Sequence, residues 1–452
     1  MKHPDNLFTK EKFVRGAGKR KGAFARVSRA GLALSVGAAM VLALGACAAG
    51  SSEPSDDSPV EVTIWSWRTE DKAAMQEIFD EFNSENPDIQ VTFDPLDPDS
   101  YANKLSTALQ GGKGPDIAQL NPYGALQPFV DAGYLEPLDD LVPELDSFSD
   151  EAKIAIKGLS DGKLYGVPYA AVNLGVFYNT EIFAEHDIEV PQSYQEFIDA
   201  CDKLLAAGVI PIAAGGANGQ GWALEVALNV LTPSLTGPDF YDDLMSGKKK
   251  LTDPTYIAAM QRMSDMLPYF SPGFEGVDYD ASTQQFITGK AAMFLGGSYE
   301  NGSFSSQGGE DLKFSVFTFP ADEAGEPAYT STWVDGSYGL TSDAVNRDAA
   351  IRVLNYMATQ EFAQQFSDKL GWPPARADVV IGDDKPVLQQ MLKMQEHSMP
   401  NVTLVGFRWD NPTGSSILQP AIIDMIVGKV TPQKLAEDMQ NGVDAWFEPG
   451  KF

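Results

Sequence analysis

Hydrophobic and polar residues begin a regular pattern at Val60. Val60-Glu61-Val62-Thr63-Ile64-Trp65 alternates β-branched and aromatic side chains with polar ones, which predicts a strand. Over residues 71–83 the period changes: Met75, Ile78, Phe79 and Phe82 recur at helical spacing, and Asn86-Pro87 closes the segment before a strand at 89–93. A helix at 101–110, a turn at 111–115 and a short buried strand at 116–120 repeat the unit. This alternation implies an α/β fold with a doubly wound, mainly parallel sheet. In such sheets ligands lie beyond the carboxyl ends of the strands, here Trp65-Ser66-Trp67 and Asn121-Pro122-Tyr123. Further along, residues 161–169 read as a turn entering a strand that Pro168 ends or bends, and 175–179 as an apolar strand. Helical spacing dominates 193–207, 222–231 and 255–267, with short apolar stretches at 291–295 and 314–319 and no internal repeat.

The region before Val60 follows other rules. Nine Lys and Arg against Asp5 and Glu11 occupy residues 1–29, and residues 30–46 carry no charge. A basic start, an apolar run and small residues before a cut describe a secretory signal over 1–46. A membrane-spanning helix needs about 20 apolar residues, and this run stops at Gly45-Ala46-Cys47. The ending resembles the lipobox of bacterial lipoproteins, whose cysteine receives a diacylglycerol, so Cys47 is the expected lipidation site. Residues 47–59, rich in Ser, Pro and Asp, form a flexible tether.

Composition narrows the chemistry. Without residues 1–46 the chain keeps 24 basic and 61 acidic side chains, a formal charge of −37. That field excludes nucleic acid and anionic lipid as partners. Cys47 and Cys201 are the only cysteines, so an acylated Cys47 leaves no intrachain disulfide. Three histidines, no P-loop, no GxSxG and no HExxH give no metal, cofactor or nucleophile signature. About 400 mature residues exceed one ordinary core and call for two lobes.

The chain resembles the extracellular solute-binding proteins that feed ATP-driven sugar importers, in the carbohydrate branch that includes maltose-binding protein. The resemblance is carried by Val62-Thr63-Ile64-Trp65-Ser66-Trp67, by residues 82–91, by Gly114-Pro115-Asp116-Ile117, by residues 161–169 leading to Phe177-Tyr178-Asn179, and by residues 286–294 with Gly296-Gly297-Ser298-Tyr299. It implies two α/β lobes that close on a sugar as a hinge, the first spanning 60–169 plus 321–376 and the second 170–320 plus 377–452. It also implies an ABC-type permease as partner, a neutral di- or oligosaccharide as ligand, and no enzymatic activity. The chain is then expected as a monomer, lipid-anchored on the outer face of a Gram-positive-type cytoplasmic membrane. An extracellular carbohydrate-active hydrolase and a peptide-binding lipoprotein are the alternatives.

A sugar offers apolar C–H faces and a rim of hydroxyls, so its site needs flat rings and planar polar groups. Trp65 and Trp67 share one face if the strand runs through both, and not if it ends before Trp67; Trp65 fits core and cleft equally, and Trp67 fits the cleft better. Gln119, Asn121 and Tyr123 fall where the resemblance implies polar and aromatic sugar contacts, and Asn173 falls near a hinge-side position. Trp222 suits a helix start facing the cleft or a core position. Tyr299 matches a stacking position of the family, with Glu300 beside it. Trp333 and Asp335 occupy an expected loop before Tyr338, Arg376 follows the rigid turn 371–375, and Phe407-Arg408-Trp409-Asp410 gathers ring, guanidinium and carboxylate, which adds Trp409 and Asp410.

Overall fold

The computed structural model describes residues 58–217 and 221–451. The signal segment, Cys47 and the tether through residue 57 lie outside the described residues. Eleven strands are described: β1 Val60–Ser66, β2 Ile89–Pro95, β3 Ile117–Leu120, β4 Val167–Pro168, β5 Ala171–Asn179, β6 Ile210–Ala213, β7 Ala291–Gly297, β8 Phe314–Phe317, β9 Thr330–Val334, β10 Ser337–Leu340 and β11 Ser398–Pro400. They form two sheets, each with its own helices.

The first sheet has the order β2-β1-β3-β10-β4. β1 runs parallel to β2 and β3, and β10 runs antiparallel to β3 and β4. Helix Lys72–Glu85 buries Met75, Ile78, Phe79 and Phe82, the stripe that its spacing predicts, in one core with Val62, Ile64, Val91 and Phe93. Helix Pro98–Gln110 starts three residues earlier than its apolar period. Pro98 takes the first turn, where its missing N–H costs nothing, and the Asp97 side chain accepts the Ser100 N–H.

The second sheet has the order β11-β9-β5-β7-β6, with β8 also paired to β5. Parallel pairing holds for β6 with β7 and for β9 with β11. Around β5 it does not: this long strand runs antiparallel to β7, β8 and β9, because it enters straight from the first sheet instead of through a helical crossover. Helix Gly221–Thr236 packs on this sheet and buries Leu224, Leu228 and Leu231.

Three segments pass side by side between the sheets. The first is Tyr169-Ala170, the second Asp335-Gly336 and the third 373–375. The Asp335 N–H donates to the Ala170 carbonyl at 3.1 Å, the Ala171 N–H to Pro373 at 3.1 Å and the Ala375 N–H to Tyr169 at 3.1 Å. The chain returns to the first sheet at 335–336, since β9 still belongs to the second. Trp333 is therefore a strand residue paired with Val172, not a loop residue, and its ring is buried.

Candidate functional site

The carboxyl ends of β1 and β3, the crossing at Asp335 and the end of β7 converge on one region. β1 ends at Ser66, and Trp67 follows it in a bend; Trp65 and Trp67 nevertheless pack against the same cluster, around Tyr101. Trp65 is half-buried against the cluster that contains Tyr101 and Leu105. Trp67 packs its edge on the Tyr101 ring at 5.5 Å, and its tip reaches the Cα side of Gly336. Asp335 is half-exposed here. One carboxylate oxygen accepts the Tyr169 hydroxyl at 2.5 Å, and Arg68 and Arg408 both lie within electrostatic reach of it.

Arg68 follows β1 directly. Its guanidinium binds Asp71 at 2.9 Å and Glu70 at 2.9 Å, and lies over the Trp372 ring at 4.5 Å. Burial opposes the Arg68 charge, but the two carboxylates outweigh it and hold the group protonated well above its ordinary range. From the second lobe, Tyr299 brings its ring to 6.1 Å from Trp372. Its hydroxyl is pushed above the usual tyrosine range by burial first and by Asp335 second. A side chain at Gly297 would strike the Tyr299 ring, so the glycine lets that ring fold back over the strand end. The same ring forms a wall of an apolar cavity with Leu224, Tyr279 and Phe294. Glu300 lies behind it, 3% exposed, with one carboxyl oxygen lacking any partner. Burial, against the pull of Arg68, raises Glu300 to about 8.

Beyond this floor a groove of about 750 Å³ runs between the lobes. Gly124, Gln127 and Ser160 line one side, and Arg408, Trp409, Asp410 and Gln419 the other. Tyr123 adopts φ 60°, rare for a residue with a side chain, and is held there by its hydroxyl, which accepts the Val334 N–H at 3.2 Å. Burial pushes that hydroxyl to about 12. The Tyr123 ring meets Trp409 edge-on at 5.7 Å, and Arg408 Nη2 donates to Asn121 Oδ1 at 3.4 Å. Arg408 has no carboxylate within salt-bridge distance among the described residues, and burial lowers its proton affinity. Asp410 is exposed on the groove wall.

The structure thus brings Trp67, Asn121, Tyr299, Asp335 and Asp410 to partly accessible positions in this region, leaves Tyr123 and Trp409 buried against each other at the groove wall, and sets other expected residues elsewhere. Gln119 is wholly buried: its amide oxygen accepts from Ser66 at 2.5 Å and its amide nitrogen donates to Tyr169 at 2.6 Å. Asn173 is buried in β5, where Nδ2 donates to the Met391 carbonyl and Oδ1 has no partner. Trp222 is 37% exposed and meets Tyr279 at 4.6 Å with the ring planes tilted by 49°, beside the apolar cavity and not on the floor. Arg376, a cleft candidate whose other reading is a structural salt bridge, takes that second role: it binds Asp378, Glu144, Ser147 and the Ala358 carbonyl. The turn before it lies at the crossing, but its side chain points back into the first lobe. Sequence reasoning passed over Arg68, Tyr169 and Trp372. Arg68 carried a usable signal, a lone cation immediately after a strand's carboxyl end.

Comparison with known proteins identifies the family and the fold. A family model described as bacterial extracellular solute-binding protein matches residues 65–364. An uncharacterized ABC transporter extracellular-binding protein of Pyrococcus horikoshii is 24% identical over 381 residues, covering 80% of this chain and 83% of its own. The multiple sugar-binding protein of Streptococcus mutans serotype c is 25% identical over 429 residues, 92% of this chain and 96% of its own. A solved chitin oligosaccharide binding protein superposes with a TM-score of 0.72 at 25% identity, over 86% of this chain and 98% of that one.

Proposed function

This chain belongs to the bacterial extracellular solute-binding proteins, and on that premise we propose that it captures a neutral oligosaccharide between its lobes and delivers it to an ABC-type permease. Membership of a receptor family removes the hydrolase alternative. The observation that carries the reading is the meeting of rings and hydrogen-bonding groups from both lobes at one cleft: Trp67, Asn121 and Tyr123 from the first, Tyr299, Arg408 and Trp409 from the second. Flat rings suit sugar faces and the planar amide and guanidinium suit hydroxyls. Asp335, set at the crossing, accepts a hydroxyl from either lobe's side. The named sugar ligands of the Streptococcus relative and of the chitin oligosaccharide receptor support the class.

The receptor acts as a monomer, held to the outer face of the cytoplasmic membrane through an acylated Cys47. The lipobox-like end of the leader supports that anchor, and two or more acyl chains suffice for stable attachment where one is marginal.

A thermal-shift screen against mono-, di- and oligosaccharides tests the reading. A ligand that binds only the folded state at 100 times its Kd stabilises it by about 2.7 kcal/mol, so the melting temperature rises with the right sugar. No shift with any sugar, and a shift with peptides, would replace the sugar reading with the peptide-binding one.

A further inference from the structure

A chain of hydrogen bonds with one possible direction runs from the first sheet to Asp335. It starts at the Trp67 backbone N–H, which can only donate and gives its proton to Gln119 Oε1 at 3.2 Å. The Ser66 hydroxyl donates to the same oxygen at 2.5 Å, while itself accepting the Arg68 N–H at 2.9 Å. The amide of Gln119 is thereby fixed with Nε2 toward Tyr169, to which it donates at 2.6 Å. Because the Tyr169 oxygen accepts there, its own proton goes onward to Asp335 Oδ2 at 2.5 Å. Gln119 is 0% exposed and Tyr169 4%, and the Tyr169 ring is wedged among Tyr338, Phe366 and Trp372, so neither end of the chain can swing away. Among the described residues the other carboxylate oxygen of Asp335 makes no hydrogen bond, and the residue is only partly buried.

We propose that Tyr169 is a positioning residue: with Gln119 behind it, it holds the Asp335 carboxylate in one orientation, so that the free oxygen is a preset acceptor for a hydroxyl of the bound sugar. This rests on the sugar reading of the cleft and deepens it. Gln119 and Tyr169 act on the ligand only through Asp335. A carboxylate held by one bond before the ligand arrives loses less freedom on binding than a mobile one. The direction of the chain also has a consequence: a carboxylate in place of the Gln119 amide would take the Tyr169 proton for itself and release Asp335.

The test uses Tyr169→Phe, Gln119→Glu, Asp335→Ala and the Tyr169→Phe/Asp335→Ala pair, with maltotriose, raffinose and chitotriose as probes. In the ligand-free protein the carboxyl carbon resonance of Asp335, assigned by its loss in Asp335→Ala, should move in Tyr169→Phe and in Gln119→Glu. On the tightest probe, Tyr169→Phe should weaken binding about tenfold, while the pair binds no more weakly than Asp335→Ala alone. The phenyl ring keeps the packing, so a merely structural role would leave the resonance in place and make the two losses add. An unmoved resonance, additive losses or an Asp335→Ala variant with unchanged affinity each overturn the proposal. Should wild type bind none of the probes, the sugar reading is what fails, and the ligand-free resonance still decides whether Tyr169 positions Asp335. If Gln119→Glu does not fold, Tyr169→Phe carries the same decision.

Discussion

Single residues divide this cleft into groups already committed to the protein and groups left for a ligand. Arg376 and Arg408 both stand in turn-like segments with aromatic neighbours, yet Arg376 donates to a carboxylate, a hydroxyl and a carbonyl, whereas Arg408 has one long bond to Asn121. An aspartate stands two residues after each, Asp378 and Asp410, so the local pattern does not separate them; the further partners of Arg376 come from residues 147 and 358. Glu300 is a third case. Its folded-state value of about 8 lies above the ordinary 4.5, mainly through burial, so the stability it contributes is whole below about pH 4.5 and is lost as pH rises through about 8. Each pH unit within that window costs about 1.4 kcal/mol through this one group. Glu300→Gln should remove this component, so the gap in unfolding free energy between variant and wild type should widen in the variant's favour from pH 5 to pH 8. A constant gap would show that Glu300 does not hold its proton in the fold.

At the scale of elements, periodicity made five of the longer helices and most strands legible, but not the helices from Tyr279–Ile287 onward. The four apolar residues of helix Lys72–Glu85 and the alternating burial of β1 are properties of the local chain. Strand β9 was not legible as such, since its five residues acquire their identity from Val172 and Met399, partners far away in sequence. The turn after β3 was legible only as a ligand-side position. In the structure Gly124 packs directly on the backbone of Arg408 and Trp409, and a Cβ there would lie 2.0 Å from the Arg408 carbonyl oxygen and 2.5 Å from the Trp409 Cα. Backbone cannot yield as a side-chain tip does. Gly124→Ala should therefore push this turn off the second lobe and weaken sugar binding at least tenfold in calorimetric titration, whereas unchanged affinity would mean that the two segments separate freely.

For the whole molecule, sugar should favour the arrangement in which both lobes touch it, because a ligand shifts a conformational balance only by binding one state more tightly. Small-angle scattering should show the radius of gyration falling as the sugar from the thermal screen saturates the protein; a constant radius would remove hinge closure from the mechanism. Attachment is a separate matter. Cys47→Ala should release the protein into the medium or leave it unprocessed, with the sugar affinity of the folded body unchanged, and lost affinity would contradict that independence. Much of the molecule was determined by the sequence itself: the acidic charge, the α/β units and the family, all of which depend on composition, order or short-range period. Tertiary structure alone decided which polar groups are committed to other protein groups and which are left accessible. Gln119 and Asp335 looked alike as candidates, yet one is sealed behind Tyr169 and the other stands at the crossing with an oxygen free. That difference arises where β1, β3, Tyr169-Ala170 and the β9–β10 turn come together, from contacts 50 to 166 residues apart that no local pattern encodes.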